Sequence, residues 1–283
     1  MISMISKYDA AGNDFVAWDA RGIEWNSTAI SKTMIALCDR RRGIGADGVI
    51  VLKEPLHPEL GTDFRMVYFN ADGSLGDMCG NGARSIVRFA LDSGVIHQPR
   101  TRFETGAGIY SAEVVEGGNI KLGFPDIQGL PTAVNFDGEE TLWDATFQVV
   151  GVPHAVVLLD SVEDFEVDQI GRRLRRHRAT GPKGANINFV SFQGANKIKI
   201  RTFECGVEAE TLACGTGCVA TAISRAVREG LSGENTFYLQ TAGGDEMIIR
   251  FNLADDAITS VSLTGPAVRV FEAKLLQPLS VHD

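Results

Sequence analysis

Short β-branched and aromatic runs, each bounded by Gly, Asp or Asn, recur along most of this chain and read as strands. Examples lie at 48–52, 114–115, 147–150, 155–159, 188–192 and 246–251. Helix-like periodicity is rarer and predicts helices at about 29–40, 83–93, 163–178 and 217–229. Two of these end near Gly94 and Gly230, as helices often do. The mixture predicts an α+β fold.

The pattern is also duplicated. Cys79-Gly80-Asn81-Gly82 and Cys214-Gly215-Thr216-Gly217 each open an apolar helical run. Phe103 to Gly108 resembles Leu239 to Gly244, Gly12-Asn13-Asp14 sits opposite Gly151-Val152-Pro153, and Gly45-Ala46-Asp47 sits opposite Gly184-Ala185-Asn186. The offsets, 13 to 152, 45 to 184, 79 to 214 and 105 to 241, are 139, 139, 135 and 136. Four landmarks in one order at a nearly constant offset predict two pseudo-symmetric homologous domains. Each is expected to be a mostly antiparallel sheet wrapped on a central helix. The expected boundaries are 1–125 plus 266–283 for the first and 126–265 for the second, with the active site in the cleft between them.

Charge changes the picture by exclusion. The 283 residues carry 27 Lys and Arg against 36 Asp and Glu, a net −9, which argues against nucleic acid or an anionic membrane as a general partner. No run of apolar residues is long enough to span a bilayer, and Met1 to Lys7 lacks the features of a signal peptide. With five cysteines and no secretion signal, the expected state is reduced thiols in the cytoplasm. Cys214 and Cys218 lack zinc-ligand spacing and the histidines are scattered, so no metal is expected. The basic run Arg172 to Arg178 is expected late in a helix, where it complements the negative end of the dipole.

The paired Cys-Gly-x-Gly turns carry the chemistry. Glycines let backbone approach a ligand, and a helix N-terminus offers N–H donors and positive potential. Such an end binds a carboxylate and favours a thiolate beside it. Two of them would hold one carboxylate and aim a sulfur at each face of the adjacent Cα. One thiolate removes the α-proton and the other thiol returns a proton to the opposite face. Backbone N–H groups stabilise the intermediate, so no cofactor is required.

At this point a resemblance emerges. Residues 11–15, 45–48, 70–74, 78–84, 184–189, 208–217 and 264–267 resemble the diaminopimelate epimerase family, across about residues 7–270. The resemblance implies pyridoxal-independent inversion of LL- to meso-diaminopimelate, in lysine and peptidoglycan synthesis, by a homodimer. It implies that Cys79 and Cys214 are the two bases. Gly80, Asn81, Gly215 and Thr216 would offer backbone N–H groups to the reacting carboxylate. Asn13 and Asn70 would orient substrate, Glu204 would meet an ammonium, and Asn186 would meet the far end. Two positions depart from the family's pattern: Cys205 stands where an arginine grips the distal carboxylate, and Val152 where an asparagine does.

The leading expectation is therefore diaminopimelate epimerase, and the alternative is a racemase of an amino acid lacking a distal carboxylate. A non-catalytic amino-acid-binding protein would need neither cysteine. A cysteine hydrolase would want a histidine base, and His154, following Pro153, reads as structural.

Overall fold

The computed structural model describes residues 2–139 and 141–281, with Pro278 described by its backbone alone. Met1, Glu140, His282 and Asp283, and with them the expected outer domain ends, lie outside the described residues. The chain divides into two compact units, Met1–Leu122 with Gly265–Asp283, and Gly123–Thr264.

In chain order the first unit contains β1 (Ile2–Ala10), β2 (Asn13–Asp19), α1 (Ser27–Cys38), β3 (Gly48–Lys53), β4 (Phe64–Asn70), β5 (Leu75–Gly76), α2 (Gly80–Asp92), β6 (Arg100–Thr105) and β7 (Gly108–Val114), and ends in β8 (Ile120–Gly123). The second contains β9 (Ile127–Gln128), β10 (Thr132–Ala133), β11 (Asp144–Val150), β12 (Val152–Leu158), α3 (Val167–Leu174), β13 (Asn186–Phe192), β14 (Lys197–Glu204), β15 (Ala209–Thr211), α4 (Gly215–Arg228), β16 (Gly233–Gln240), β17 (Glu246–Ala254) and β18 (Ala257–Gly265). The last strand, β19 (Val268–Leu279), belongs to the first unit and pairs with β1.

The two units repeat one topology. In the first, β1–β2 is antiparallel, β2–β3 parallel, β3–β4 and β4–β5 antiparallel, β4–β6 parallel and β6–β7 antiparallel. In the second, β11–β12 is antiparallel, β12–β13 parallel, β13–β14 and β14–β15 antiparallel, β14–β16 parallel and β16–β17 antiparallel. A parallel pair needs a crossover, and each parallel pair here has a helix between its strands.

Register equates individual residues. Phe15 lies beside Gly48 as His154 lies beside Asn186, and Ile50 beside Tyr68 as Asn188 lies beside Thr202. Asn70 and Glu204 end corresponding strands.

One helix of each unit packs along one side of its sheet. Ala83, Ile86, Val87 and Ala90 of α2 are fully buried, and the helix packs on β1, β2, β3, β4 and β19. In α4 the buried stripe is Cys218, Val219, Ala222, Ile223 and Ala226, against β11, β12, β13, β16 and β17. On the opposite side α1 puts Ile30, Met34 and Leu37 against Val49, Val51 and Phe69. There α3 puts Val167 and Leu174 against Ile187, Phe189 and Phe203. Strands β3 and β13 are therefore covered on both faces, which is why they read as unbroken apolar runs.

Two helices differ from expectation. The Asn26 side chain accepts the N–H groups of Thr28 and Ala29, so α1 begins at Ser27. The third spans only Val167–Leu174. Arg201 Nη1 binds the carbonyls of Val162, Glu163 and Phe165 at 2.8, 3.0 and 2.9 Å, taking the acceptors an earlier start would use. Only Arg172 and Arg173 lie in its last turn. The basic run instead makes ion pairs: Arg173 with Glu139, Arg175 and Arg176 with Glu208, and Arg178 with Asp137. No helix among the described residues is long and apolar enough to cross a membrane.

Candidate active site

Cys79 and Cys214 occupy the same place in their units, the N-cap of the central helix, both in extended backbone. Gly80–Asn81 and Gly215–Thr216 form the first turns, whose N–H groups have no acceptor within a helix.

Around Cys79 the first unit builds a chain of amides and charges. The Gly82 N–H donates to the sulfur at 3.4 Å, and the thiol points at Asn13 Oδ1, 3.9 Å away. Asn81 Nδ2 donates to the same Oδ1 at 3.1 Å, and Arg84, fully buried, donates to Asn81 Oδ1 at 2.9 Å. Asn13 Nδ2 in turn donates to Asp47 at 2.7 Å. Asn13 and Asn81 are thus oriented from both sides. Asn70 stands apart: its carboxamide donates to Ser74 Oγ at 3.0 Å within its own turn.

Around Cys214 the setting is drier and more acidic. Asn186 Nδ2 reaches the sulfur at 4.0 Å, and Thr216 Oγ1 lies 3.6 Å from it. Asn186 Oδ1 accepts the Cys205 N–H at 2.8 Å. Glu204 is steadied by the Thr211 hydroxyl at 2.6 Å. Burial pushes the Cys214 thiol well above its ordinary range, and the Glu204 carboxylate adds to this. Thr216 and the Gly217 N–H pull the other way without offsetting it. At Cys214 desolvation opposes the thiolate that a helix N-terminus favours. Cys79 is half-buried.

Sequence reasoning gave no role to Asp47, Arg84 and Thr211, although each lies in a quoted motif; what they touch, the amides and carboxylate beside the thiols, emerges only in three dimensions. His154 is wholly buried, and burial pushes its pKa down to about 3, so it is neutral. Cys218 is buried one turn along α4 from Cys214, and Cys38 is buried at the end of α1. Cys205 is exposed, its thiol 3.8 Å from the Lys183 carbonyl. Arg175, the guanidinium beside Gly184, is taken by Glu208 at 2.6 Å.

The duplicated α+β unit has the PhzF and proline-racemase-like fold. The PhzF-family phenazine biosynthesis protein of Bacillus anthracis matches at TM-score 0.75 and 17% identity, over 97% of this chain and 99% of that one. A hydroxyproline epimerase from Agrobacterium vitis matches at TM-score 0.67 and 17% identity, over 98% and 94%.

Within that class the sequence is more particular. The pattern of the Diaminopimelate epimerase family matches residues 5–125 and 146–270. Diaminopimelate epimerase of Aquifex aeolicus is 40% identical over 277 residues, 95% of this chain and 96% of that protein. Diaminopimelate epimerase of Flavobacterium psychrophilum is 37% identical over 272 residues, 95% and 98%. The chain belongs to the diaminopimelate epimerase family and is an isomerase.

Proposed function

We propose that this chain interconverts LL- and meso-diaminopimelate by moving a proton between the substrate α-carbon and the sulfurs of Cys79 and Cys214. The observation that carries the reading is the equivalent placement of the two cysteines, each capping the central helix of its unit. In one direction the Cys79 thiolate takes the α-proton and becomes a thiol. Cys214, held protonated at rest by burial, gives its proton to the other face of the carbon and becomes the thiolate. The reverse reaction exchanges the roles. Charge developing on the α-carboxylate is met by the first-turn N–H groups of Gly80, Asn81, Gly215 and Thr216. Asn13 and Asn70 orient the substrate, Glu204 takes its ammonium and Asn186 its far end. The thiols supply all the proton chemistry, and the reading places the enzyme as a homodimer in the cytoplasm.

One observation favours the second reading, a racemase of an amino acid without a distal carboxylate. Cys205 is an exposed thiol where the family places a guanidinium, and Glu208 already neutralises Arg175. Incubation in D₂O with diaminopimelate and a panel of L-amino acids, read by mass spectrometry, decides between them. Deuterium at the α-carbon of diaminopimelate alone supports the first reading. Label confined to amino acids lacking a second carboxylate establishes the other.

A further inference from the structure

We infer that Asn188 is a positioning residue for Cys214, acting through the backbone of Gly217. The inference rests on the reading of Cys214 as one of the two acting thiols.

Asn188 is fully buried on β13, on the side of the strand that faces α4. Its Oδ1 accepts the Thr202 hydroxyl at 3.0 Å. Its Nδ2 donates to the Ala155 carbonyl at 3.0 Å and faces His154 Nδ1 at 3.3 Å. The Ala155 carbonyl fixes the amide in one orientation, since a flip would turn Oδ1 onto another acceptor. So oriented, Oδ1 presses on the first turn of α4. A Cβ on Gly217 would fall 2.2 Å from it. Gly217 is the residue whose N–H faces the Cys214 sulfur. A rigid oxygen thus sets how far that N–H stands from the thiol.

The first unit solves the same problem differently. At the equivalent places it has Phe15, Ile50 and Tyr68, with Phe15 and Tyr68 in edge contact at 6.2 Å. There a Cβ on Gly82 would meet carbon alone among its nearest neighbours, Met66 Cε at 3.2 Å, Ile50 Cγ2 at 3.3 Å and Cys79 Cβ at 3.5 Å. The turn of the first unit thus rests on side-chain hydrocarbon where that of the second rests on an amide oxygen. The second unit instead buries His154, Asn188 and Thr202, and among the described residues His154 Nε2 finds no hydrogen-bond partner. A buried polar group in that state is costly. The directional amide gives what methyl groups cannot, a fixed orientation and a fixed distance under Cys214 alone.

The test uses Thr202→Val, which removes the hydroxyl at constant shape, Thr202→Ser, which keeps it, and Asn188→Leu. Iodoacetamide labelling is followed peptide by peptide at Cys79 and Cys214, with epimerase kinetics and thermal stability beside it. Thr202→Val and Asn188→Leu should slow labelling of Cys214 by about fivefold or more and leave Cys79 within about twofold. Their kcat should fall by about tenfold with KM little changed, and Thr202→Ser should restore both. If Asn188→Leu does not fold, the threonine pair carries the result. Equal slowing at both thiols, an unchanged Cys214, or Thr202→Ser behaving as Thr202→Val overturns the inference. Labelling needs no turnover, so it reads the role of Asn188 even if wild-type protein fails to invert diaminopimelate.

Discussion

At the scale of single residues, two cysteines at equivalent helix ends face different surroundings. Cys79 is half-buried beside amides, whereas Cys214 is buried beside a carboxylate. On the proposed two-base reading the cysteines act as a unit, so Cys79→Ala and Cys214→Ala should each lower kcat by several powers of ten with the fold intact by circular dichroism. Cys38→Ala and Cys218→Ala should retain turnover and lose only stability, since both thiols are packed in cores. Full activity in either of the first pair would end the two-base reading. Cys205 poses a separate question under the proposed reading, which sets it toward the far end of the substrate. A carboxylate held by neutral donors forgoes about 1.5–3 kcal/mol for each charged hydrogen bond it lacks. Cys205→Arg should therefore lower KM for diaminopimelate about tenfold, while leaving amino acids without a second carboxylate unimproved. Unchanged diaminopimelate kinetics in that variant would show that the distal end is already gripped elsewhere.

At the scale of elements, the two Cys-Gly-x-Gly turns look interchangeable in sequence and are not so in structure. Gly82→Ala brings a methyl against the movable end of Met66, and the better helix propensity of alanine offsets the crowding. Gly217→Ala drives a methyl into Asn188 Oδ1, which three partners hold in place. Thermal unfolding should show a loss of about 1–3 kcal/mol for Gly217→Ala and about 1 or less for Gly82→Ala. Comparable losses would mean that Asn188 yields. The motifs were legible because a cysteine before two glycines is a local signal, and so were the strands whose apolar runs are unbroken. Strand β14 was not among them, because the exposed Lys197 and the half-buried Lys199 interrupt its buried Ile198 and Ile200 and leave no unbroken apolar run. The start of α3 was also hidden, since the Arg201 that takes its carbonyls arrives from a strand some forty residues on. Asn188 could be read as part of a motif, but its orientation depends on Thr202 and Ala155 from neighbouring strands.

At the scale of the whole molecule, the repeated topology shows two copies of one unit whose cores have diverged. The constant offset between motifs revealed the duplication in sequence; the register shows where the copies differ. The substitution of an aromatic by a histidine at the place of Phe15 has a consequence for acid stability. His154 is neutral in the folded chain, with its pKa pushed down from 6.5 to about 3 by burial. A group whose folded pKa is depressed contributes stability that is complete above its unfolded value and is lost as pH falls toward the folded one. The window is therefore from about 6.5 down to about 3, and the full loss is about 5 kcal/mol by linkage. The Asp14 carboxylate begins to lose its ion pairs only below its ordinary value of 3.8, at the acid edge of this window. There burial opposes ionisation, but hydrogen bonds and charge from Arg40 and Lys7 outweigh it and hold the carboxyl below its usual range. The comparison that isolates the histidine is His154→Phe, which copies the first unit. Denaturant unfolding of the two proteins at pH 7, 6, 5 and 4 should give curves that converge or cross as pH falls, the wild type losing more. Parallel curves would mean that His154 takes up its proton without unfolding the core around Asn188, and the neutral buried imidazole would have to be abandoned.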